Sequence, residues 1–189
     1  WGKDYIRHCI STCSEKIIKN LEDAIKKCDK MMCDIINSSP ELKKTFDIVT
    51  SIKGISLQNG VAMIVYTNNF SKFENVRQML CFWGVAPFEH SSGTSVHGRT
   101  QTSFFANKML KELISDAAAN SIRYNDKIKT YYNRLVNRGK MKGVALNNVK
   151  AKLINIVFTM VQRGTKYDPN YDMIKTTNKQ KAEILKNAC

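Results

Sequence analysis

Residues 39–57 read SPELKKTFDIVTSIKGISL, and this stretch contains the start, the body and the end of a helix. Ser39 is a typical N-cap, and Pro40 suits the first helical position because it has no N–H to satisfy there. Glu41 adds an acidic side chain to the first turn, where the helix dipole favours it. The pattern therefore predicts a helix that begins at Pro40, runs to Ile52 and stops at Gly54.

The segment that follows, residues 49–56, is similar to a helix-hairpin-helix turn, with a second helix predicted from Leu57 to Val65. Turns of this kind can offer backbone N–H groups to a DNA phosphate. Ser56 occupies the place where a second glycine is usual, and many such turns only pack. Both readings of this turn, phosphate contact and packing, stay open.

The residues before Ser39 carry a long amphipathic pattern. Apolar side chains recur at steps of three and four, with a mean near the natural helical period of 3.6. We expect one helix over residues 1–38 that packs on a partner helix as a coiled coil, giving a homo-oligomer, either a dimer or a tetramer. The alternative is a long helix that lies on its own domain. The stripe consists of Ile6, Ile10, Cys13, Ile17, Leu21, Ala24, Cys28, Met31 and Ile35.

The rest of the chain predicts a mainly α fold: a compact helical domain over residues 39–168 and a basic tail over 169–189. One stretch, residues 88–100, is rich in Ser, Gly and Thr, which indicates a loop or small hairpin rather than a helix. The six cysteines match no zinc spacing and are expected to be reduced core thiols. The further predicted helices cover residues 72–82 with Ser71 as cap, 103–122, 126–137 and 142–161.

The charge is strongly positive and unevenly distributed. The formal net charge is +14, and the residues from Ser121 onward hold fifteen Lys and Arg against four Asp and Glu. Such an excess attracts phosphate backbones and predicts salt-sensitive nucleic-acid binding. The chain has no nucleotide-binding glycine motif, no acidic cluster for Mg²⁺ and no apolar run of the roughly 18 residues that a membrane span needs. We therefore expect no metal site in this chain and no membrane association. The start, Trp1-Gly2-Lys3, has no initiator Met, and we expect a piece of a longer protein.

The Ser- and Gly-rich stretch could carry chemistry. Ser92 precedes a glycine and has His97 and Arg99 within seven residues. A serine hydroxyl becomes a useful nucleophile when its proton is removed or when cations stabilise charge on its target. Attack on a DNA phosphodiester is therefore plausible, although Ser-rich loops are common. Beside this stretch, Trp83, Phe82 and Phe88 favour core packing over stacking on a base. The pair Tyr131 and Tyr132 favours packing over tyrosine recombinase chemistry.

Several segments, read in order, resemble the C-terminal half of a family of insertion-sequence transposases. This family carries an N-terminal RuvC-like DEDD domain and includes the Piv-type DNA invertases and the bridge-RNA-guided recombinases. The resemblance runs from Thr50 to Asp168. The segments are 51–55 (SIKGI), 70–73 (Phe-x-x-Phe), 83–87 (WGVAP), 91–99 (SSGTSVHGR), 106–111 (ANKMLK), 117–119 (AAA), 131–135 (YYNRL), 138–140 (RGK) and 151–153 (AKL).

The resemblance implies a DNA transposase or recombinase domain. In the family, the serine before the glycine of this loop becomes covalently joined to DNA, which corresponds here to Ser92, with Ser91 as a neighbour that could be mistaken for it. The resemblance places the DEDD carboxylates and Mg²⁺ on a separate domain, so the chain alone is expected to be inactive. It further implies a homo-oligomeric enzyme acting on DNA, a guide RNA in many members, and a cytoplasmic, nucleoid-associated location in bacteria.

Other residues are further candidates. Arg99 is a candidate to neutralise the attacked phosphate, and His97 is a candidate to move a proton near neutral pH.

The alternative function is a non-catalytic, basic helical module that binds nucleic acid and dimerises. The predicted nucleic-acid-binding residues are Lys108, Lys111, Arg134, Arg138, Lys140 and Lys142.

Overall fold

The computed structural model of the protein describes residues 2–88, 91–92, 96–98, 101–102 and 106–169, without the side chains of residues 2–5, 9, 91–92 and 96–97. This part of the chain is helical apart from short strand pairs, so the predicted mainly α class is confirmed. The elements are α1 (Gly2–Ser38), α2 (Pro40–Thr50), α3 (Leu57–Thr67), α4 (Val76–Phe82), β1 (Pro87–Phe88), β2 (Ser91–Ser92), β3 (Val96–His97), β4 (Gln101–Thr102), α5 (Lys108–Tyr124), α6 (Asp126–Asn137) and α7 (Lys142–Arg163).

The chain divides into two compact units, Trp1–Lys44 and Thr45–Cys189, with the boundary inside α2. The first unit consists mainly of α1, which has the extent predicted for the N-terminal helix. The apolar stripe of α1 is exposed: Ile17 is 60% and Leu21 58% accessible to solvent. Cys13 and Cys28 are free thiols, but both are exposed, so the prediction that they are core thiols is wrong.

The turn between α2 and α3 packs inward. Gly54 has a φ of +108°, and a Cβ placed there would overlap the backbone nitrogen of Ser121 on α5. Ile52 and Ile55, on either side, are 1% and 8% exposed. The turn therefore requires glycine at position 54 because α5 occupies the space of a side chain. Phosphate contact by this turn remains a prediction.

Helix α4 begins later than predicted, and Ser71 is not its cap. The Ser71 hydroxyl donates to the carbonyl of Asn68 at 2.6 Å, inside a turn whose residues 68–70 all have positive φ. The cap is Asn75, whose side chain accepts from the backbone N–H of Gln78 at 3.0 Å. A cap is set by the backbone conformation around it, which one serine does not determine.

Helices α4, α5 and α6 pack around α7. The inner face of α7 is completely buried at Val149, Leu153, Ile154 and Val157. By length and composition α7 could cross a membrane, but this apolar face forms the core of the second unit. Trp83, directly after α4, is also fully buried and Phe82 is half-buried, which confirms their predicted packing. Phe88 is 44% exposed, so its predicted place in the core is wrong.

Two glycines with positive φ provide a matched test of the turn at Gly54. We expect Gly139→Ala to lower the free energy of unfolding by about 1–2 kcal/mol, since its φ is +82° but no atom lies within 4 Å of the added Cβ. Gly54→Ala should lose about 2–4 kcal/mol, because the Cβ also overlaps the backbone of α5. Urea denaturation of both variants measures the difference, and equal losses would contradict the packing of this turn on α5.

Candidate functional site

The Ser- and Gly-rich stretch forms two short antiparallel ladders, nested one inside the other. At the base, Pro87 pairs with Thr102 and Phe88 with Gln101. At the tip, Ser91 pairs with His97 and Ser92 with Val96. We call this segment, residues 87–102, the serine hairpin. Its strands confirm the predicted loop or small hairpin at this place.

The predicted catalytic residues are placed only in part. Ser92 lies on β2, and its register partner is Val96 rather than His97. His97 is instead the partner of Ser91. Arg99 lies outside the described residues. The roles of Ser92, His97 and Arg99 stay predictions.

The two ladders do not share one register. Two residues separate Phe88 from Ser91 on the outgoing strand, whereas three separate His97 from Gln101 on the return. The tip is therefore offset by one residue relative to the base. In a strand, such an offset decides which residues share a face.

Lysine side chains lie at the root of the serine hairpin. The Nζ of Lys111, on the first turn of α5, donates to the Oγ1 of Thr102 on β4 at 3.1 Å. Lys150, on α7, is half-buried, and this burial lowers its pKa below the usual 10.5. The neighbouring charge of Lys111 lowers the pKa of Lys150 further. The charge of Lys150 on α7 therefore interacts with that of Lys111 at the root, and Lys108 lies exposed at the start of helix α5.

A second group of cations lies between α6 and α7. The Lys152 ammonium lies 4.5 Å from the centroid of the Tyr131 ring, and the Arg134 guanidinium carbon lies 5.4 Å from it. Tyr131 is half-buried, which agrees with a packing role for this residue. One aromatic ring therefore holds a cation from each helix.

This group borders a cavity of about 280 Å³ with an apolar floor that includes Ile128, Ile156 and Met160. Lys127 and Lys152 line both this cavity and the neighbouring depression beside Tyr131. We call the whole feature the α6–α7 basic groove. Its members are Lys127, Tyr131, Arg134, Lys152, Arg163 and Lys166.

The other predicted nucleic-acid-binding residues lie near one end of α6. Arg138 shares a further depression with Arg134, and Lys140 and Lys142 are exposed around the turn that leads into α7. The structure thus divides the predicted set: Arg134 and Arg138 lie along α6, whereas Lys111 lies at the root of the serine hairpin. Among the side chains that the structure describes, no group of three or more His, Cys, Asp or Glu is placed to hold a metal ion.

Sequence reasoning missed Lys127, Lys150 and Lys152. A signal for the last two was present, because they lie beside the apolar positions Val149 and Leu153 of α7. Lysines next to core positions are held against neighbouring helices by their stems, with the ammonium at the edge of the core. Their partners on α5 and α6 are known only from the packing of the helices.

The lowered pKa of Lys150 predicts a pH-dependent stability difference. The unfolded chain binds this proton more tightly than the folded chain, so folding bears a penalty near neutral pH that disappears as pH rises from the lowered pKa to 10.5. Lys150→Met should raise the free energy of unfolding near neutral pH by less than about 1 kcal/mol, because solvent screens a half-exposed group. Urea denaturation near neutral pH and above pH 10.5 measures this gain, which should shrink at the higher pH.

The control for this comparison is Lys129→Met on the exposed side of α6. A gain for Lys150→Met that does not change with pH would indicate packing by the new methionine rather than relief of a buried charge.

Comparison with known proteins identifies the family. Residues 46–133 match the family model described as Transposase IS116/IS110/IS902 family, a range that contains the α2–α3 turn, the serine hairpin and most of α6. The pilin gene-inverting proteins of Moraxella lacunata and Moraxella bovis are each 24% identical over 152 residues, covering 80% of this chain and 47% of theirs.

The insertion element IS110 uncharacterized 43.6 kDa protein of Streptomyces coelicolor is 28% identical over 133 residues, covering 70% of this chain and 33% of that protein. The chain thus spans less than half the length of these relatives. The predicted resemblance to insertion-sequence transposases and DNA invertases is confirmed. Residues 46–133 of this chain match the transposase domain of the IS116/IS110/IS902 family.

Proposed function

We propose that this chain is the serine-bearing part of a DNA transposase or recombinase in which Ser92 attacks a DNA phosphodiester. The observation that carries the proposal is the family match over residues 46–133, which includes the serine hairpin and Lys111 at its root. The names of the relatives, a pilin gene-inverting protein and an insertion element protein, support a reaction that rearranges DNA.

The proposed reaction exchanges one phosphate ester for another. The Oγ of Ser92 bonds to phosphorus and loses its proton, while the bond from phosphorus to one bridging oxygen of DNA breaks and the released strand end takes up a proton. A hydroxyl end of a second strand then attacks the phosphoserine, rejoins the DNA and restores Ser92. Since the number of phosphate ester bonds is conserved, this exchange needs no external energy source.

Positive charge around the serine hairpin supports this chemistry, because phosphoryl transfer depends on positioning and electrostatics. Lys111 ties α5 to β4 through Thr102, so a cation is anchored to the base of the hairpin. We assign Arg99 to the attacked phosphate and His97 to proton movement as part of the same proposal. The DEDD carboxylates belong to a separate RuvC-like domain, and Mg²⁺ held there would supply further positive charge.

The proposed enzyme is a homo-oligomer assembled through α1. The exposed stripe has alternating steps of four and three from Ile17 to Ile35, which is the spacing of a coiled-coil seam. Ile18 and Ile25, next to the seam, are 54% and 57% exposed and widen it. In the heptad of this seam, Leu21 occupies an a position and Ile17 a d position. Leucine at a with isoleucine at d favours assemblies larger than a dimer. We place the assembly on DNA in the bacterial cytoplasm, with a guide RNA as a further proposed partner.

A non-catalytic nucleic-acid-binding module is the second candidate. The α6–α7 basic groove favours it, since these cations lie on helices and do not involve the serine hairpin. The two candidates differ in one respect: only the first requires Ser92.

The first test is the covalent intermediate. We expect the chain joined to its DEDD domain, with Mg²⁺, cognate DNA and any guide RNA, to form a DNA adduct on the peptide that contains Ser91 and Ser92, detected by mass spectrometry. Ser92→Ala should abolish the adduct and strand cleavage while DNA binding stays within about twofold, because only a neutral hydroxyl is lost. Ser91→Ala is the matched control and should keep the adduct.

Cleavage that persists in Ser92→Ala would refute the serine nucleophile and indicate attack by water. An adduct lost only in Ser91→Ala would move the assignment to the neighbouring serine. Binding without cleavage in every variant would favour the non-catalytic module.

The second test concerns α1. Leu21→Asp places a charge in the middle of the exposed stripe, and we expect the oligomer to dissociate, since burial of a carboxylate in an apolar seam is unfavourable. Lys19→Asp introduces the same side chain on the polar side of the helix and should leave the assembly intact. Light scattering after size exclusion gives the mass of each variant. Equal masses for Leu21→Asp and the unmodified chain would contradict assembly through this stripe.

A further inference from the structure

The α6–α7 basic groove has features that packing does not require. Lys127, Arg134 and Lys152 make no ion pair within the described part of the chain. The acidic residues at the groove are Asp126, at the start of α6, and Asp168, in the segment that follows α7. The five cations of the groove therefore outnumber its two carboxylates.

Tyr131 organises part of this charge. Its ring lies beneath Lys152 from α7 and next to Arg134 from α6, at 4.5 Å and 5.4 Å from the centroid. Long basic side chains lose conformational freedom when a ligand orders them, which weakens binding. The Tyr131 ring already restrains Lys152 and Arg134, so a ligand that binds both side chains costs them less conformational freedom.

The shape of the groove fits a backbone rather than a compact ion. Its cavity of about 280 Å³ follows α7 from Lys152 to Arg163, with Ile128, Ile156 and Met160 in its floor, and the depression beside Tyr131 continues it along α6. A sugar–phosphate chain presents phosphates at regular intervals with apolar sugar edges between them, and cations along such a groove match that alternation.

We infer that the α6–α7 basic groove binds the sugar–phosphate backbone of the duplex DNA substrate, at a site separate from the serine hairpin. This inference rests on the proposed DNA-acting function and adds to it a named contact surface with Lys127 and Lys152 as its central residues. Phosphate contacts carry no sequence information, so this surface sets the affinity and register of the DNA and not the choice of target.

The test measures the salt dependence of binding. The chain and its variants are titrated onto a fluorescently labelled DNA duplex between about 50 and 200 mM salt, and the logarithm of the binding constant is plotted against the logarithm of salt concentration. Each lost phosphate contact should reduce the slope by about 0.9, so Lys127→Gln/Lys152→Gln should reduce it by about 1.8. Lys127→Gln alone, at an exposed position, should reduce it by about 0.9 without a risk to folding.

Two controls separate local from general effects. Lys19→Gln/Lys30→Gln on the polar side of α1 removes the same net charge and should leave the slope unchanged. Tyr131→Leu keeps every charge but removes the ring, so the affinity should fall about two- to fivefold, the equivalent of one exposed cation–π contact, with the slope unchanged.

Several outcomes would overturn the inference. One is an equal slope change in the α1 control, which would mean that net charge alone matters; another is an unchanged slope in both groove variants. A slope change with a structured RNA but not with duplex DNA would assign the groove to RNA. Ser92→Ala should leave the slope unchanged, so loss of the covalent adduct and loss of the groove contact are independent results.

Discussion

Val149, Leu153 and Val157 follow one another along α7 and are completely excluded from solvent where this helix packs against α4, α5 and α6. Burial of this face is favourable by the hydrophobic effect and fixes the rotation of α7 about its own axis. With that rotation fixed, the positions of all its other side chains follow. Both candidate surfaces of the second unit depend on this one helix.

Lys150 and Lys152 illustrate the dependence. Successive residues of a helix are about 100° apart, so the side chains of two residues that are two positions apart lie on nearly opposite sides of α7. Lys150 consequently lies close to Lys111 on α5, and Lys152 lies over Tyr131 on α6. A slip of one position in the packing of α7 would disturb the root of the serine hairpin and the α6–α7 basic groove together.

The sequence predicted the helices best where both ends carry chemical signals. Helix α6 has the predicted bounds, because Asn125 caps it and Gly139, with a φ of +82°, breaks the chain after it. Helix α5 was predicted from Ser103 but begins at Lys108, since the Asn107 side chain accepts hydrogen bonds from the N–H groups of Met109 and Leu110. Competing hydroxyl and amide caps cannot be ranked from residue type alone.

For the candidate site, the segment was predictable but the arrangement was not. The composition of residues 88–100 indicated a non-helical element, and the resemblance singled out Ser92. The pairing of His97 with Ser91 rather than with Ser92 depends on the register, which no single residue type specifies. The α6–α7 basic groove was missed because it joins residues 127 and 152, which only the packing of two helices brings together.

The position of α7 in the chain has a consequence for synthesis. All the helices that pack around α7 precede it, and it is the last helix of the described part of the chain. During translation α4, α5 and α6 emerge first, with apolar faces that nothing yet covers, and the core closes only after Arg163 has left the ribosome. A polypeptide released before that point would expose these faces and be prone to aggregate, because the core of the second unit can close only once α7 is available.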